Sequence, residues 1–260
     1  MSVGLRAALG LLRSLVVYWR PGRQRGLQSM YEPFVAPGDL VFDVGAHVGD
    51  RTVAFLDLGA RVVALEPQPG PAAILDRIAG GREGLTLVRA AVGPAPGRAR
   101  LAVSSANPTV STLADDWRAR IGDVNAGFRS VDWDDAVEVE VTTLDRLVET
   151  HGRPAFVKID VEGFEAEVLA GLSVALPALS VEFVAGSLDV TLTCVDRLAA
   201  LGRYEYRAVA GESRIPIREG WMDEPAIRRW LDEGAEGHAS GDLYARLVPE
   251  PAEPPTGATT

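Results

Sequence analysis

Cysteine, histidine and lysine are all scarce in this chain of 260 residues. The single cysteine, Cys194, excludes an internal disulfide and a cysteine-ligated zinc site, and its apolar surroundings predict a small buried side chain. Three histidines leave little for a histidine-rich metal centre. Basic residues are also outnumbered, with Lys+Arg at 26 against Asp+Glu at 36 and a formal charge of -10. Because nucleic-acid binding needs a basic face, a DNA or RNA partner is disfavoured, although not excluded.

The N-terminus has no apolar run of the length that a membrane span requires, which is about 20 residues. Its longest candidate, residues 5–18, is interrupted by Arg6 and Arg13, and no small-residue cleavage site of a signal peptide follows. We therefore expect a cytoplasmic protein. Residues 1–36 are predicted to form an N-terminal helical segment that packs on the domain or closes over its site as a lid. Attachment to an anionic membrane surface through this helix is the alternative.

From Leu40 onward, short apolar runs alternate with helical stretches, a pattern typical of a doubly wound α/β fold with helices on both faces of a parallel sheet. Strands are predicted at 40–44, 61–65, 85–92, 154–160, 179–184, 204–209 and 242–248, the last two as a hairpin-like pair. Helices are predicted at 52–58, 71–78, 162–172 and 190–201. We interpret residues 37–248 as one domain.

Two segments, 98–104 and 137–143, alternate with period two and predict added strands that flank an insertion at 105–135. Three large aromatic side chains of the insertion either cap the core or line a pocket: Trp117, Phe128 and Trp133. The proline-rich tail at 249–260 is predicted to be disordered.

The strongest local signal is the run DVGAHVGD at 43–50, which follows the first predicted strand. Gly45 and Gly49 allow the backbone to pass close to a ligand, and the next helix presents free N–H groups there. His47 stands where a dinucleotide fingerprint requires glycine, so a nicotinamide-dependent oxidoreductase is disfavoured. The phosphate-binding loop of ATPases is absent as well.

Two further carboxylates end predicted strands at the same edge of the sheet as Asp43. Glu66 ends the second strand about 20 residues beyond the first glycine, where a carboxylate can accept hydrogen bonds from both ribose hydroxyls of a nucleoside. Asp160 ends the fourth strand. Three carboxylates around one cleft favour a cationic ligand and would repel phosphates.

DVGAHVGD, the strand end Leu65-Glu66-Pro67 and the run VKIDVEGFE at 157–165 together resemble the FkbM family of S-adenosylmethionine-dependent methyltransferases. The resemblance covers about residues 39–172, and the KIDVEGxE run is its most specific part. The family usually has Asn at the position of His47. The resemblance implies a Rossmann-like sheet of about seven strands whose last strand is antiparallel. It also implies methyl transfer from S-adenosylmethionine to a hydroxyl of a sugar or secondary metabolite.

The resemblance assigns residues to the cofactor by their place in these motifs. Glu66 would bind the ribose, Ala90 and Ala91 would lie along the adenine, and Asp160 would sit near the methionine moiety. The full set of cofactor residues implied is Asp43, Gly45, Ala46, His47, Gly49, Thr52, Glu66, Pro67, Ala90, Ala91 and Asp160.

An alcohol must lose its proton when it attacks a methyl group, so a base within hydrogen-bond reach assists the reaction. Three residues are catalytic candidates: Asp160, His47 and Glu182. Asp160 ranks first by position, and His47 second because imidazole titrates near neutral pH. Asp160 and Glu182 could instead bind Mg²⁺, but we predict no metal. Lys158, the only lysine, is interpreted as a structural ion-pair partner of Asp160.

As the methyl acceptor we expect a small hydroxylated molecule, either a saccharide or another natural product. A methyltransferase-like binding module without catalysis is the alternative. Its only support is that His47 differs from the asparagine usual in the family. The preference for arginine over lysine, with abundant alanine and glycine, is typical of a GC-rich bacterial genome.

Overall fold

The computed structural model describes residues 3–211 and 213–249, so most of the predicted disordered tail lies outside the described residues. Its helices are α1 (Val3–Tyr18), α2 (Arg23–Tyr31), α3 (Asp50–Asp57), α4 (Pro69–Ala79), α5 (Asp115–Val124), α6 (Leu144–His151), α7 (Glu165–Ala170), α8 (Leu188–Leu201) and α9 (Glu224–Asp232). Its strands are β1 (Leu40–Val44), β2 (Arg61–Leu65), β3 (Leu85–Val88), β4 (Ala91–Val92), β5 (Gly97–Val103), β6 (Asp135–Thr142), β7 (Phe156–Ile159), β8 (Ala178–Val184), β9 (Tyr204–Ala210) and β10 (Ser240–Leu247).

The main sheet of the described residues has seven strands in the order β3-β2-β1-β7-β8-β10-β9. β10 runs antiparallel to both of its neighbours, whereas the remaining pairs are parallel. The predicted doubly wound sheet with an antiparallel last strand is therefore confirmed. Strand order reverses between β1 and β7, and ligands of such sheets bind outside the carboxyl ends of the strands at that point.

One predicted strand, at 85–92, is wrong as a single element. Only Leu85–Val88 pairs with β2, while Ala91–Val92 pairs with β6 in a separate sheet of order β4-β6-β5. Ala91 and Val92 are both buried, so the apolar run continues although the pairing partner changes. Hydrophobicity alone does not reveal such a change of partner.

The period-two segments form strands β5 and β6, as predicted, and the structure pairs the two strands antiparallel. Of the insertion between them, Trp117 is buried and meets Phe128 edge-on at 5.1 Å and Trp133 at 6.4 Å between ring centroids. The Trp117 indole N–H donates to Ser187 Oγ at 3.1 Å. These aromatic side chains cap the core beside Val184 of β8 rather than line a pocket.

The segment before β1 joins the core of the domain. Leu27 and Tyr31 of α2 are fully buried and pack with Phe55 of α3 and Phe156 of β7. Tyr31 and Phe55 have ring centroids 4.3 Å apart. None of the helices in the described part of the chain is long and apolar enough to cross a membrane.

Candidate functional site

A cleft of about 800 Å³, measured with its open mouth, lies at the carboxyl ends of β1, β2 and β7. Most of the residues predicted to hold a cofactor line it: Asp43, Gly45, Ala46, His47, Glu66, Pro67, Ala90, Ala91 and Asp160. Gly49, Thr52 and Glu182 are not among its lining residues. The three motifs of the sequence therefore converge on one cavity.

Gly45 brings the β1 loop against the end of β7. Its φ is 81°, and a Cβ built on it would lie 1.9 Å from the carbonyl oxygen of Asp160. Its N–H and that of Ala46 both donate to the carbonyl of Leu65 at 3.0 Å, which ties the loop to the end of β2. Only glycine permits this close approach and this backbone conformation together.

Gly49 and Thr52 act behind the cavity wall. A Cβ on Gly49 would meet Leu75 Cδ1 at 2.3 Å, so this glycine permits close packing of α3 and α4. Thr52 Oγ1 donates to Asp43 Oδ2 at 2.6 Å and holds that carboxylate in place. Asp43 Oδ1 is buried without a hydrogen-bond partner in the described residues, and burial raises the pKa of Asp43 to about 6.

Glu66 is buried at the end of β2, yet both of its carboxylate oxygens accept main-chain hydrogen bonds. The N–H of His47 donates to Oε2 at 2.9 Å, and the N–H of Gln68 donates to Oε1 at 2.8 Å. Burial raises the pKa of Glu66 to about 7, while these two N–H groups oppose the shift. Each oxygen retains a second acceptor site, so the carboxylate can still receive two hydroxyl groups.

His47 adopts a left-handed backbone conformation, with φ at 48°. Asparagine and histidine both tolerate this conformation better than most residues, so His47 can take the place of the asparagine that the resemblance implies. The ring packs edge-on against Tyr18 at 5.7 Å between centroids. Burial lowers the pKa of His47 to about 4, so the imidazole is neutral at pH 7. The expectation that it titrates near neutral pH does not hold.

Asp160 forms an ion pair with Lys158, which is buried inside the sheet as a structural partner, in agreement with the interpretation from the sequence. Burial raises the pKa of Asp160, but the Lys158 ammonium and the Arg51 guanidinium outweigh it, and the pKa lies below its usual value. Asp160 therefore presents an ionised carboxylate to the cavity.

Glu182 belongs to an acidic cluster beside the cavity. One carboxylate oxygen from each of Asp160, Glu162 and Glu182 lies within 4.8 Å of the other two. Burial, together with the neighbouring Glu162 and Asp160, raises the pKa of Glu182 well above its ordinary value. Burial and the neighbouring carboxylates thus disfavour the ionised form of Glu182, which is the form that accepts a proton, and this argues against Glu182 as the base.

Several walls of the cavity come from residues outside the three motifs: Tyr18, Arg51, Gln68, Thr109, Ser111 and Leu113. Gln68 links the cavity to the insertion, since its Nε2 donates to the Pro108 carbonyl at 3.0 Å and its Oε1 accepts from Ser111 Oγ at 3.0 Å. Tertiary packing alone brings these residues together, and only the amphipathic pattern before Tyr18 had suggested a contribution from the N-terminus.

Comparison with known proteins assigns the family. The profile described as "Methyltransferase FkbM domain" matches residues 43–194, which is more than half of the chain and contains all three motifs. No curated protein matches the chain.

The chain is also similar, at low identity, to solved structures of methyltransferases. A TehB-like S-adenosylmethionine-dependent methyltransferase from Corynebacterium glutamicum is 11% identical, with coverage of 91% of this chain and 94% of that one and a TM-score of 0.47. Magnesium protoporphyrin IX methyltransferase from Synechocystis, solved with bound S-adenosylmethionine, is 11% identical over 92% and 84% of the chains, with a TM-score of 0.44. Because the family profile matches more than half of the chain, the protein belongs to the FkbM family of S-adenosylmethionine-dependent methyltransferases.

Proposed function

We propose that the protein is an O-methyltransferase that methylates a hydroxyl group of a sugar or secondary metabolite. One observation carries the proposal: the cavity combines hydrogen-bond acceptors for a nucleoside with an ionised carboxylate at the end of β7. Glu66 and Asp43 supply the acceptors, and Asp160 supplies the ionised carboxylate.

The cavity fits S-adenosylmethionine by its donor and acceptor chemistry. Asp43 Oδ1 is a buried acceptor that lacks a donor among the described residues, and Glu66 has acceptor capacity left for the two ribose hydroxyls. Ala90 and Ala91 have small side chains that leave room for a flat base. When bound, S-adenosylmethionine supplies an electrophilic methyl group on a positively charged sulfur, a charge that the carboxylates of the cavity complement.

Proton removal falls to Asp160 in this proposal, with His47 as the second candidate. Both are weak bases, because Lys158 and Arg51 lower the pKa of Asp160 and burial lowers that of His47. A weak base suffices where most of the catalysis comes from alignment of the reacting atoms. Asp160 would accept the hydroxyl proton as the oxygen bonds to the methyl carbon, while the carbon–sulfur bond would break and leave its electron pair on the sulfur of the demethylated cofactor.

The structure weakens the support for the alternative of a binding module without catalysis. It depended on His47, and the N–H of this residue donates to Glu66 from the left-handed backbone that asparagine would also adopt. The expected small-molecule acceptor and cytoplasmic location remain part of the proposal, and the net charge of -10 argues against RNA as the acceptor.

The test is an assay with methyl-labelled S-adenosylmethionine and a panel of hydroxylated saccharides and polyketides, with bulk RNA as a separate arm. We expect label in at least one small-molecule product, in a form that resists mild base as an ether does. Label only in RNA, or in a base-labile ester, would contradict the proposal. Cofactor binding without product across the panel would favour the non-catalytic module.

A further inference from the structure

Helix α1 presents an apolar stripe to solvent. Leu5, Leu9, Leu12 and Val16 are between 48% and 67% exposed, and their spacing of four, three and four residues places them on one face. The opposite face packs on the domain, where Ser14 is buried and Gly10 lies against the backbone of Ser105. The stripe therefore remains uncovered while the helix is docked.

Such a continuous stripe differs from the rest of the described surface. Elsewhere the exposed large hydrophobic side chains are separated from one another along the chain: Ile78, Val124, Val174 and Ile215. Scattered exposed hydrophobic residues need no explanation, but a contiguous apolar patch indicates an interaction surface.

The charge around the stripe identifies the kind of partner. No Asp or Glu precedes Glu32, although the whole chain has a net charge of -10. Arg6 and Arg13 are exposed, and each follows a stripe residue by one position, so they border the stripe along one side. Arg6 Nη1 lies 3.6 Å from Asp134 Oδ2, a partly exposed ion pair of the kind that contributes little and can be exchanged for a lipid phosphate. Arg20 and Arg25, just beyond α1, are exposed as well. A basic, apolar surface on an acidic protein is complementary to an anionic, apolar partner.

We propose that α1 binds to the surface of an anionic lipid membrane. The stripe would enter the boundary between headgroups and acyl chains, and the arginine side chains would reach the lipid phosphates. The helix would lie in the plane of the surface, because its 16 residues are fewer than the roughly 20 that a membrane span needs. The last residue of α1, Tyr18, lines the cavity, so a bound helix holds the cavity at the membrane. The inference does not depend on the identity of the methyl acceptor.

A second copy of the chain is the competing occupant, because the stripe also has heptad spacing. Two arguments disfavour it. The helix contains only about two heptads, fewer than a stable coiled coil needs. It also contains no acidic residue, so the arginine residues that border the stripe in one copy would have no carboxylate to pair with on the other helix.

The test is co-sedimentation of the full chain with vesicles of phosphatidylcholine alone or with about 30% phosphatidylglycerol. We expect binding to the anionic vesicles, at least about tenfold weaker binding to the neutral ones, and loss of binding in high salt. The variant Leu9→Glu/Val16→Glu should lower binding by about tenfold or more. The matched control Val174→Glu/Ile215→Glu has the same charge change at exposed positions away from α1 and should bind as the unmodified chain does.

Affinity for S-adenosylmethionine, measured on each variant by calorimetry, separates a folding defect from a surface effect and should be the same in all of them. Three results would overturn the proposal: no binding of the unmodified chain to anionic vesicles, equal binding by the α1 variant, or equal loss of binding by the control. A dimer in sedimentation velocity that Leu9→Glu/Val16→Glu dissociates would instead assign the stripe to a second copy.

Discussion

At the scale of single residues, the site depends on carboxyl groups that the fold buries and then supplies with hydrogen-bond donors. Glu66 accepts two main-chain N–H groups, and Asp43 accepts the hydroxyl of Thr52. Burial of a carboxylate is costly unless it is hydrogen-bonded. These donors orient each carboxylate toward the cavity and leave acceptor capacity there for a ligand.

Replacement of Glu66 tests its role at the ribose. Glu66→Ala should weaken binding of S-adenosylmethionine by roughly 10- to 100-fold, because hydrogen bonds to a charged group contribute about 1.5–3 kcal/mol. Isothermal titration calorimetry measures the change, and Glu83→Ala, on the exposed surface, is the control. Unchanged affinity in Glu66→Ala, with the fold verified by circular dichroism, would contradict the assignment.

Replacement of His47 and Asp160 separates the two candidate bases. Asp160→Asn should lower kcat by about 10²- to 10⁴-fold, the usual contribution of a general base. His47→Asn should retain kcat within a few-fold, because asparagine tolerates the backbone conformation at φ 48° and its N–H can still donate to Glu66. Rates on a responsive acceptor check this, and the reverse pattern would make His47 the base.

At the scale of elements, a buried ion pair connects the N-terminal segment to the domain. Arg23 of α2 donates from Nε to Asp50 Oδ2 of α3 at 2.7 Å, and both side chains are almost fully buried. Gln24 Nε2 reinforces the contact by donation to the Asp50 carbonyl at 3.0 Å. Asp50 also lines the cavity, so the docking of α2 is linked to the site.

Arg23→Ala should therefore destabilise the protein by about 3 kcal/mol, because it leaves a buried carboxylate with a weakened set of partners. Arg25→Ala, which removes an exposed arginine of the same helix, should change the free energy of unfolding by less than about 0.5 kcal/mol. Urea unfolding followed by circular dichroism gives both values. Equal effects of the two substitutions would show that the ion pair is not what anchors α2.

The long, strongly patterned elements were predictable from the sequence, whereas several short helices were not. β1 and β2 are short, mostly apolar runs with a carboxylate at or just beyond the carboxyl end, and their predicted bounds match the structure. α9 had readable signals that the prediction did not use, since Asp223 caps it, proline follows Glu224, and Ile227, Trp230 and Leu231 form its buried face. α2 lies within the N-terminal segment that was predicted to be helical, but its own bounds were not predicted, because its sequence is mostly polar and tertiary contacts bury only Arg23, Leu27 and Tyr31.

At the scale of the whole molecule, the buried carboxyl groups make stability depend on pH. Burial raises the pKa of Asp43 to about 6 and those of Glu66 and Glu165 to about 7. In the unfolded chain these groups titrate near pH 4. Between these values the folded protein binds more protons than the unfolded chain, so stability falls as pH rises through the folded pKa values.

We therefore expect a lower urea midpoint for the ligand-free protein at pH 8 than at pH 6. Asp160 and His47 have pKa values shifted the opposite way. Asp160 titrates below this range, and His47 opposes the trend only near pH 6, where the unfolded chain still binds its proton, so the three raised carboxyl groups outweigh it. Glu66→Gln removes one of the titrating carboxyl groups and should reduce the difference between the two midpoints. A urea midpoint that increases from pH 6 to pH 8 would contradict the raised pKa values of these buried carboxyl groups.

The site could be predicted only as far as its motifs extend. The strand ends with Asp43, Glu66 and Asp160 were identified because parallel strands bring their carboxyl ends to one edge. The opposite wall, with Tyr18 from α1 and Ser111 from the insertion, depends on how distant segments pack. The low pKa of His47 could not be predicted from the sequence either, because burial in the folded structure lowers it.

The most direct test of the central claim is a crystal structure of the protein with S-adenosylmethionine or its demethylated product. We predict that the nucleoside lies in the cleft above β1 and β2, with its ribose hydroxyls on the Glu66 carboxylate and the sulfur end toward Asp160. Density for the ligand at any other place on the molecule, or no binding at millimolar concentration, would contradict this account.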